Sequence, residues 1–290
     1  MAFKMNMLNG NEVAKEIKLR IKAEVEELKK AGKKTPHLAA ILVGTDGASM
    51  TYVNAKAKDC AEVGFESSVF HFDASISKEE LIQEIERINQ NPEIDGLIVQ
   101  LPLPKHIPEK EITESISFKK DVDGFHPMNV GYMFKGMPCF LPATPYGIVQ
   151  MLEHYKIETS GKHCVVIGRS DIVGKPMGAL MLQKNCTVTT CHSKTKNMKE
   201  MCLQADIIIA AVGIPEFLKA DMVKEGAVVV DVGITRVEDP NSSKGYVLKG
   251  DVDYKNVAPK CSWITPVPGG VGPMTRLGLL LNTLRAVKQS

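Results

Sequence analysis

Apolar residues recur every three or four positions through Val13, Ile17, Ile21, Val25 and Leu28, the period of one helix face. Asn9, with Glu12 three residues on, approximates a capping box and predicts the start of that helix, and Gly32 predicts its end. The lysines and glutamates on the opposite face read as a solvated surface. The period then shortens. Leu38–Val43 is a continuous apolar run of the buried-strand type, closed by Gly44-Thr45-Asp46-Gly47, and a second helix follows from Ser49. Ser67–Phe72 predicts a strand, and Ser77 with Glu80 caps a helix carrying Leu81, Ile85 and Ile88. Asn91-Pro92 breaks the chain before a third strand, Asp95–Gln100, which runs into Leu101-Pro102-Leu103-Pro104.

A second α/β pattern follows. Thr144-Pro145 reads as N-cap and first turn of a helix through Ile148, Met151, Leu152 and Tyr155, expected to bridge two domains. Cys164–Ile167 is a short apolar run that stops at Gly168. Arg169 and Ser170 follow, and Val173, Gly174 and Pro176 open a helix. Further strands are predicted at Thr187–Cys191, at Ile207–Ala210 running to Gly213, and at Ala227–Val232 running to Gly233, with a helical pattern through Met198, Met201, Cys202 and Ala205. Strands alternating with helices, each strand ending in small residues, predict a parallel doubly wound sheet with its ligand at the carboxyl edge. Thr265–Pro273 is too rich in proline and glycine for a helix or central strand and reads as a shaped loop. A last amphipathic helix carries Leu277, Leu280, Leu281 and Leu284, and is expected to return to the first domain and complete its core. The fold class is therefore α/β in two domains with a cleft between them. An N-terminal α/β domain covers 1–143 and is completed by 273–290; a Rossmann-type domain covers 144–272.

Composition changes this picture little. A chain of 290 residues suits two domains. With 36 basic and 34 acidic residues the formal net charge is +2, so nothing draws the whole molecule to nucleic acid or membrane. The seven cysteines form no CxxC pair and several sit in apolar strands, which argues for reduced thiols and a cytoplasmic chain. The seven histidines lack metal-ligand spacing, so no metal site is expected. No apolar run approaches the ~18 residues of a membrane span, and no signal-peptide pattern opens the chain.

The candidate chemistry lies at strand ends. The turn at Gly168 lets backbone approach a diphosphate, and a helix N-terminus offers unpaired N–H groups. The spacing of Gly168 and Gly174 is not GxGxxG, and an ordinary βα turn is the alternative. After the second strand of this domain comes Cys191-His192-Ser193-Lys194-Thr195-Lys196, with two lysines and no acid. An acid there would hold the ribose of NAD; with Arg169 nearby, this stretch suits the 2′-phosphate of NADP. A solvated polar turn is the other reading. On the helix from Ser49, Ser49, Tyr52 and Lys56 share one side; a partly desolvated lysine beside a tyrosine can shuttle protons, although a surface pair has the same pattern. Gln100 at a strand end can hold a heterocycle or satisfy its own loop. A carboxylate of Asp121-Val122-Asp123-Gly124 can bind a guanidine-like edge or close an Asx turn.

Together these stretches resemble a known family. Ser49-x-x-Tyr52-Val53-x-x-Lys56-x-Lys58, Ile94–Pro104, Asp121–Pro127, Gly168-Arg169-Ser170-x-x-Val173-Gly174-x-Pro176 and Pro266–Thr275 resemble, in order, motifs of the bifunctional methylenetetrahydrofolate dehydrogenase/cyclohydrolases, the FolD family. The resemblance implies a folate-binding catalytic first domain and an NADP-binding second one. It implies oxidation of 5,10-methylenetetrahydrofolate by NADP+ and hydrolysis of the methenyl product to 10-formyltetrahydrofolate. By resemblance Lys56 moves the proton, tuned by Tyr52 and Gln100, and Asp123 anchors the pterin, which makes these four the catalytic set. Ser49, Val99, Leu101 and Pro268, Gly269, Gly270, Val271 and Gly272 would line the substrate slot. Arg169 and Ser193 would hold the 2′-phosphate. Gly168, Ser170, Val173, Gly174, Thr195, Gly213, Gly233 and Ile234 complete the cofactor set. A homodimer is implied as well.

Two positions depart from the family pattern. Ala143 stands where many bacterial members have cysteine, and Tyr132 where they often have arginine. Rival readings are another NADP oxidoreductase of shikimate-dehydrogenase-like architecture, a dehydrogenase without the hydrolase step, and a catalytically silent scaffold. Retention of Tyr52, Lys56, Gln100 and Asp123 argues against the last.

Overall fold

The first elements of the described residues are a two-residue strand, β1 (Asn6–Met7), and a long helix, α1 (Gly10–Lys30). The computed structural model describes residues 5–242 and 245–289. The chain divides into two compact units, Met1–Ala14 with Thr144–Thr275, and Lys15–Ala143 with Arg276–Ser290.

The unit built on Lys15–Ala143 is organised by three parallel strands in the order β3-β2-β4: β2 (His37–Val43), β3 (Glu66–Phe72) and β4 (Gly96–Val99). The apolar run of β2 is buried on both faces because it is the central strand, while β3, at the edge, alternates exposed and half-buried residues. Between β2 and β3 runs α2 (Gly47–Val63), two residues longer at its start than the sequence predicted, because Asp46 caps it through Ser49 N at 2.7 Å. Gly64, at φ 82°, ends it in the left-handed conformation. After β3, α3 (Lys78–Gln90) has the predicted Ser77–Glu80 capping box and packs Leu81, Ile85 and Ile88 against Ile41, Leu97 and Val99. Short helices α4 (Glu109–Ser115) and α5 (Pro127–Phe134) complete the middle of the chain.

The other unit begins its continuous part within α6 (Ala143–His154). It is organised by a six-stranded parallel sheet made from β5 (His163–Ile167), β6 (Thr187–Cys191), β7 (Ile207–Ala210), β8 (Ala227–Asp231), β11 (Cys261–Ile264) and β1. Helices α7 (Gly174–Gln183) and α8 (Met198–Leu203) link β5 to β6 and β6 to β7. A hairpin of β9 (Thr235–Glu238) and β10 (Tyr246–Lys249) and a short helix α9 (Tyr254–Val257) precede β11. The last helix is α10 (Val271–Gln289).

Strand order is β1-β11-β8-β7-β5-β6, so the direction of winding reverses between β5 and β7. In a doubly wound sheet that switch point opens a crevice beyond the carboxyl ends, and ligands bind there. The doubly wound sheet is thus as expected, but it is larger than the four strands read from sequence. The expectation that residues 1–143 form one domain with 273–290 also differs from the division found. The described part of Met1–Ala14 groups with the six-stranded sheet, because Asn6 and Met7 pair with Trp263 and Ile264. A two-residue strand has no periodicity to detect.

Candidate active site

α2 presents its functional side chains in order. Ser49 is buried, Tyr52 is 45% exposed, Val53 is buried and Lys56 is half-buried. Lys56 Nζ donates to Gln100 Oε1 at 3.1 Å. Gln100 is fixed at the end of β4, since its own N–H donates to Ile41 O at 2.9 Å and its Nε2 donates to Leu101 O at 2.6 Å. That second bond orients the amide, leaving the oxygen for the amine. Val99 is buried, and Leu101 is partly so. Desolvation by burial holds the Lys56 amine below the ordinary lysine range; Asp123 opposes this, Arg276 adds to it and Cys60 opposes it weakly.

The Asp121–Gly124 loop separates its two carboxylates by role. Asp121 is buried and accepts N–H bonds from Gly124, Phe125 and His126 at 3.1, 3.2 and 2.8 Å, and from Asn129 Nδ2 at 2.9 Å. It builds the loop. Among the described residues the Asp123 carboxylate has no hydrogen-bond partner, which leaves it for a ligand. Burial raises the Asp123 carboxyl above the ordinary range, and Lys56 offsets part of the rise. Gly124 sits at φ 75°, where a Cβ would lie 2.5 Å from the Leu141 carbonyl carbon, so only glycine allows this turn. Asn282 Nδ2, on α10, donates to Val122 O and Leu141 O, both at 2.8 Å, and clamps both sides of the loop.

The glycine-rich loop lies in the other unit. The Val267–Pro268 peptide is cis, and Gly269 (φ 99°) accepts the Asn11 N–H at 3.3 Å. The backbone around Gly270 meets Gly10 so closely that a Cβ on Gly10 would lie 1.8 Å from Gly270 O. Val271 is buried, and Gly272 has open space around its Cβ position. Ser49, Tyr52, Lys56, Val99, Gln100, Leu101 and Asp123 thus belong to one unit, and Pro268–Gly272 to the other.

The cofactor candidates gather at the carboxyl edge of the six-stranded sheet. A Cβ on Gly168 (φ 129°) would lie 2.2 Å from Ala211 O, and one on Gly174 would lie 2.4 Å from Gly168 O. Both glycines are therefore dictated by the close turn between β5 and α7, at the switch point. Ser170 Oγ accepts the Val173 and Gly174 N–H groups, each at 3.2 Å, so this hydroxyl shapes the helix entry. Arg169 is exposed. After β6, Thr195 Oγ1 accepts the His192 N–H at 2.8 Å and folds the turn, while exposed Ser193 has no protein hydrogen-bond partner among the described residues. Lys194 and Lys196 are exposed beside it.

Two buried aspartates that sequence reasoning passed over hold the next loops. Asp251 Oδ2 accepts the Val212 and Gly213 N–H groups at 2.6 and 2.9 Å. Asp231 accepts those of Gly233, Asp251 and Val252 at 3.0, 2.8 and 3.0 Å. A Cβ on Gly233 would lie 2.2 Å from Asp251 Oδ1, so this glycine makes room for the carboxylate. Ile234 stands 48% exposed next to it. Among the described residues no group of three His, Cys, Asp or Glu side chains is arranged to hold a metal ion.

A desolvated lysine–amide pair in one α/β unit, and a doubly wound sheet with a glycine-lined switch point in the other, define a two-domain dinucleotide-dependent enzyme. The comparisons make this specific. The model of the tetrahydrofolate dehydrogenase/cyclohydrolase catalytic domain matches residues 8–123, and that of its NAD(P)-binding domain matches residues 142–290. The bifunctional protein FolD of Porphyromonas gingivalis is 58% identical over 286 residues, covering 97% of each chain. The solved FolD methylenetetrahydrofolate dehydrogenase/cyclohydrolase of Campylobacter jejuni superposes with TM-score 0.94 at 47% identity, covering 99% of each chain. The Trypanosoma brucei enzyme, solved with NADP and an inhibitor, gives TM-score 0.93 at 36% identity over 98% of each chain. The chain belongs to the tetrahydrofolate dehydrogenase/cyclohydrolase family.

Proposed function

We propose that this chain oxidises 5,10-methylenetetrahydrofolate with NADP+ and hydrolyses the resulting 5,10-methenyltetrahydrofolate to 10-formyltetrahydrofolate. The observation that carries this reading is the desolvated Lys56 amine held at 3.1 Å by Gln100, in a chain of this family. In the hydrolysis, water adds to the cationic methenyl carbon and gives a proton to the neutral Lys56 amine. The bond from that carbon to N5 then breaks as the added hydroxyl becomes the formyl carbonyl, and the hydroxyl proton passes to N5. A neutral amine suits this step twice, since it can accept the proton and it does not repel the substrate cation. Asp123, free of protein donors, accepts the paired N–H groups of the pterin edge. Tyr52, exposed on α2, covers the folate ring, with Ser49, Val99 and Leu101 in supporting contacts.

The residues present fit NADP. Gly168 and Gly174 leave backbone room that a Cβ would fill, for the diphosphate. Ser193 and Arg169, with Lys194 and Lys196 alongside and no acid between Cys191 and Lys196, suit the 2′-phosphate. Val173, Thr195, Gly213, Gly233 and Ile234 border the same edge. When bound, the cofactor supplies the hydride acceptor; this chain supplies orientation, because hydride transfer depends on placement more than on proton transfer.

A homodimer belongs to the same reading, and the outer edge of β3, with Val69 46% exposed, is the supporting feature. So does the reducing cytoplasm, which suits seven buried free thiols. No helix of the described structure is long and apolar enough to cross a membrane. The test is a paired absorbance assay, methylenetetrahydrofolate with NADP+ or NAD+ in one cuvette and methenyltetrahydrofolate alone in the other. NADP+ reduction together with accelerated loss of methenyl absorbance is expected. Reduction without hydrolysis would leave a dehydrogenase alone, and neither activity in folded protein would leave a silent scaffold.

A further inference from the structure

A cavity of about 430 Å³ opens between the turn at Phe118 and Lys119, α5, the Pro138–Phe140 segment and the end of α10. All of these belong to one compact unit. The volume is in the range that takes a small organic ligand. None of the residues lining it belongs to the catalytic, folate or cofactor sets above. Its walls are tied to one another by hydrogen bonds. Asn129, 2% exposed, donates Nδ2 to Phe118 O at 2.9 Å, and its Oδ1 accepts the Phe140 N–H at 3.4 Å. Arg285 Nη1, on α10 beside Ala286, donates to Cys139 O at 2.5 Å. The cavity is therefore built into the fold, and a ligand entering it has little protein left to order.

The lining selects a chemistry. Phe118 and Tyr132 meet edge to face, with ring centroids 6.3 Å apart, and Phe140, 4% exposed, adds a third ring. Aromatic walls of this kind take a flat ring by stacking or by edge contacts. Lys119 is the charged side chain of the lining, and among the described lining residues none is acidic. Neither the Lys119 amine nor the Tyr132 hydroxyl has a protein hydrogen-bond partner among the described residues. A cation without a counter-ion and a free hydroxyl suit a carboxylate. The Asn129 amide is spent on the walls, so polar recognition falls to Lys119 and Tyr132. Tyr132 is also one of the two positions where the chain departs from its family's pattern, and the departure supplies one of the aromatic walls.

We propose that this cavity is a second ligand site, for a flat aromatic molecule of one or two rings that bears a carboxylate. The ring lies among Phe118, Tyr132 and Phe140, and the carboxylate meets the Lys119 amine and the Tyr132 hydroxyl. A free aromatic acid has this chemistry, and so does the aromatic, carboxylate-bearing tail of a folate. An aromatic amine does not, because Lys119 repels it.

The experiment titrates the native protein calorimetrically with 2-naphthoate, with neutral 2-naphthamide and with cationic 2-naphthylmethylamine. Expected is saturable binding of one naphthoate per chain, severalfold weaker binding of the amide, and the weakest binding for the amine. Lys119→Glu and Tyr132→Phe weaken naphthoate and leave the amide as it was. Ala286→Trp fills the cavity from α10 and abolishes binding of both. An excess of 10-formyltetrahydrofolate tells the two sources apart: displacement of naphthoate makes a folate the second ligand, and retention makes it a free aromatic acid. No saturable binding by native protein, naphthoate binding that survives Ala286→Trp, or an amine bound as tightly as the acid would overturn the proposal. Should Ala286→Trp fail to fold, naphthoate affinity unchanged in both Lys119→Glu and Tyr132→Phe would overturn it equally.

Discussion

Asn282 donates its side-chain Nδ2–H to the carbonyl of Val122 at 2.8 Å, so a residue near the end of the chain fixes the peptide directly before Asp123. The same nitrogen holds Leu141 O. Replacing it by leucine leaves two buried carbonyls without a donor, at a cost of about 2–4 kcal/mol in stability. The looser loop carries Asp123 with it. Asn282→Leu is expected to lower the urea midpoint and raise KM for the folate more than it lowers kcat; a native-like KM would show that Asp123 is placed by other contacts.

Lys56→Met is expected to remove methenyl hydrolysis by a factor of at least about a hundred, the usual weight of a general base. It is also expected to stabilise the fold. Burial lowers the folded-state affinity of this amine for its proton, so between its folded value and the ordinary lysine value the unfolded chain binds more protons than the native one. Stability gained from this group is present at alkaline pH and is lost as pH falls through the folded value. A methionine has no such dependence, so the native minus Lys56→Met stability difference, from denaturation at several pH values, becomes more negative towards acid.

Much of this was legible in the sequence because the strongest signals are local. The Ser77–Glu80 box, the apolar β2 run and Gly174, packed on Gly168 O, can each be read within a few residues. What was hidden acts across long separations. Asn282 reaches back to Val122, and Arg276 to Asp59, and neither has a period or a motif to announce it. β1 and β11 were missed as members of the sheet because one is two residues long and the other follows a proline-containing turn. Asp121 and Asp123, two apart, could not be told apart by residue type, since only the loop's hydrogen bonds show which carboxylate is already engaged.

Gly168→Ala separates the two activities. Its new Cβ would lie 2.2 Å from Ala211 O, and φ of 129° is strained for alanine, so the turn must open. A loss of about 1–3 kcal/mol in stability is expected. KM for NADP+ should rise steeply while methenyl hydrolysis, which uses no cofactor, continues near the native rate. Equal loss of both would place this turn in the folding of the whole chain and not in cofactor binding.

Asp231 and Asp251 give the sheet's carboxyl edge a pH dependence. Burial pushes the Asp231 carboxyl up to about 7, against three backbone donors and with Asp251 adding to the rise. The folded protein therefore holds this proton more tightly than the unfolded chain does, and stability from this group, complete below the ordinary carboxylate range, is lost as pH rises towards 7. Asp231→Asn mimics the protonated form and removes the dependence. The native protein is expected to lose stability relative to Asp231→Asn between about pH 4 and pH 7, by denaturant titration at each pH. Asp251→Ala acts differently, since it frees the Val212 and Gly213 N–H groups that bound the switch-point crevice. It should raise KM for NADP+ at every pH. A parallel pH dependence in native and Asp231→Asn proteins would mean that Asp231 stays ionised, held by its backbone donors.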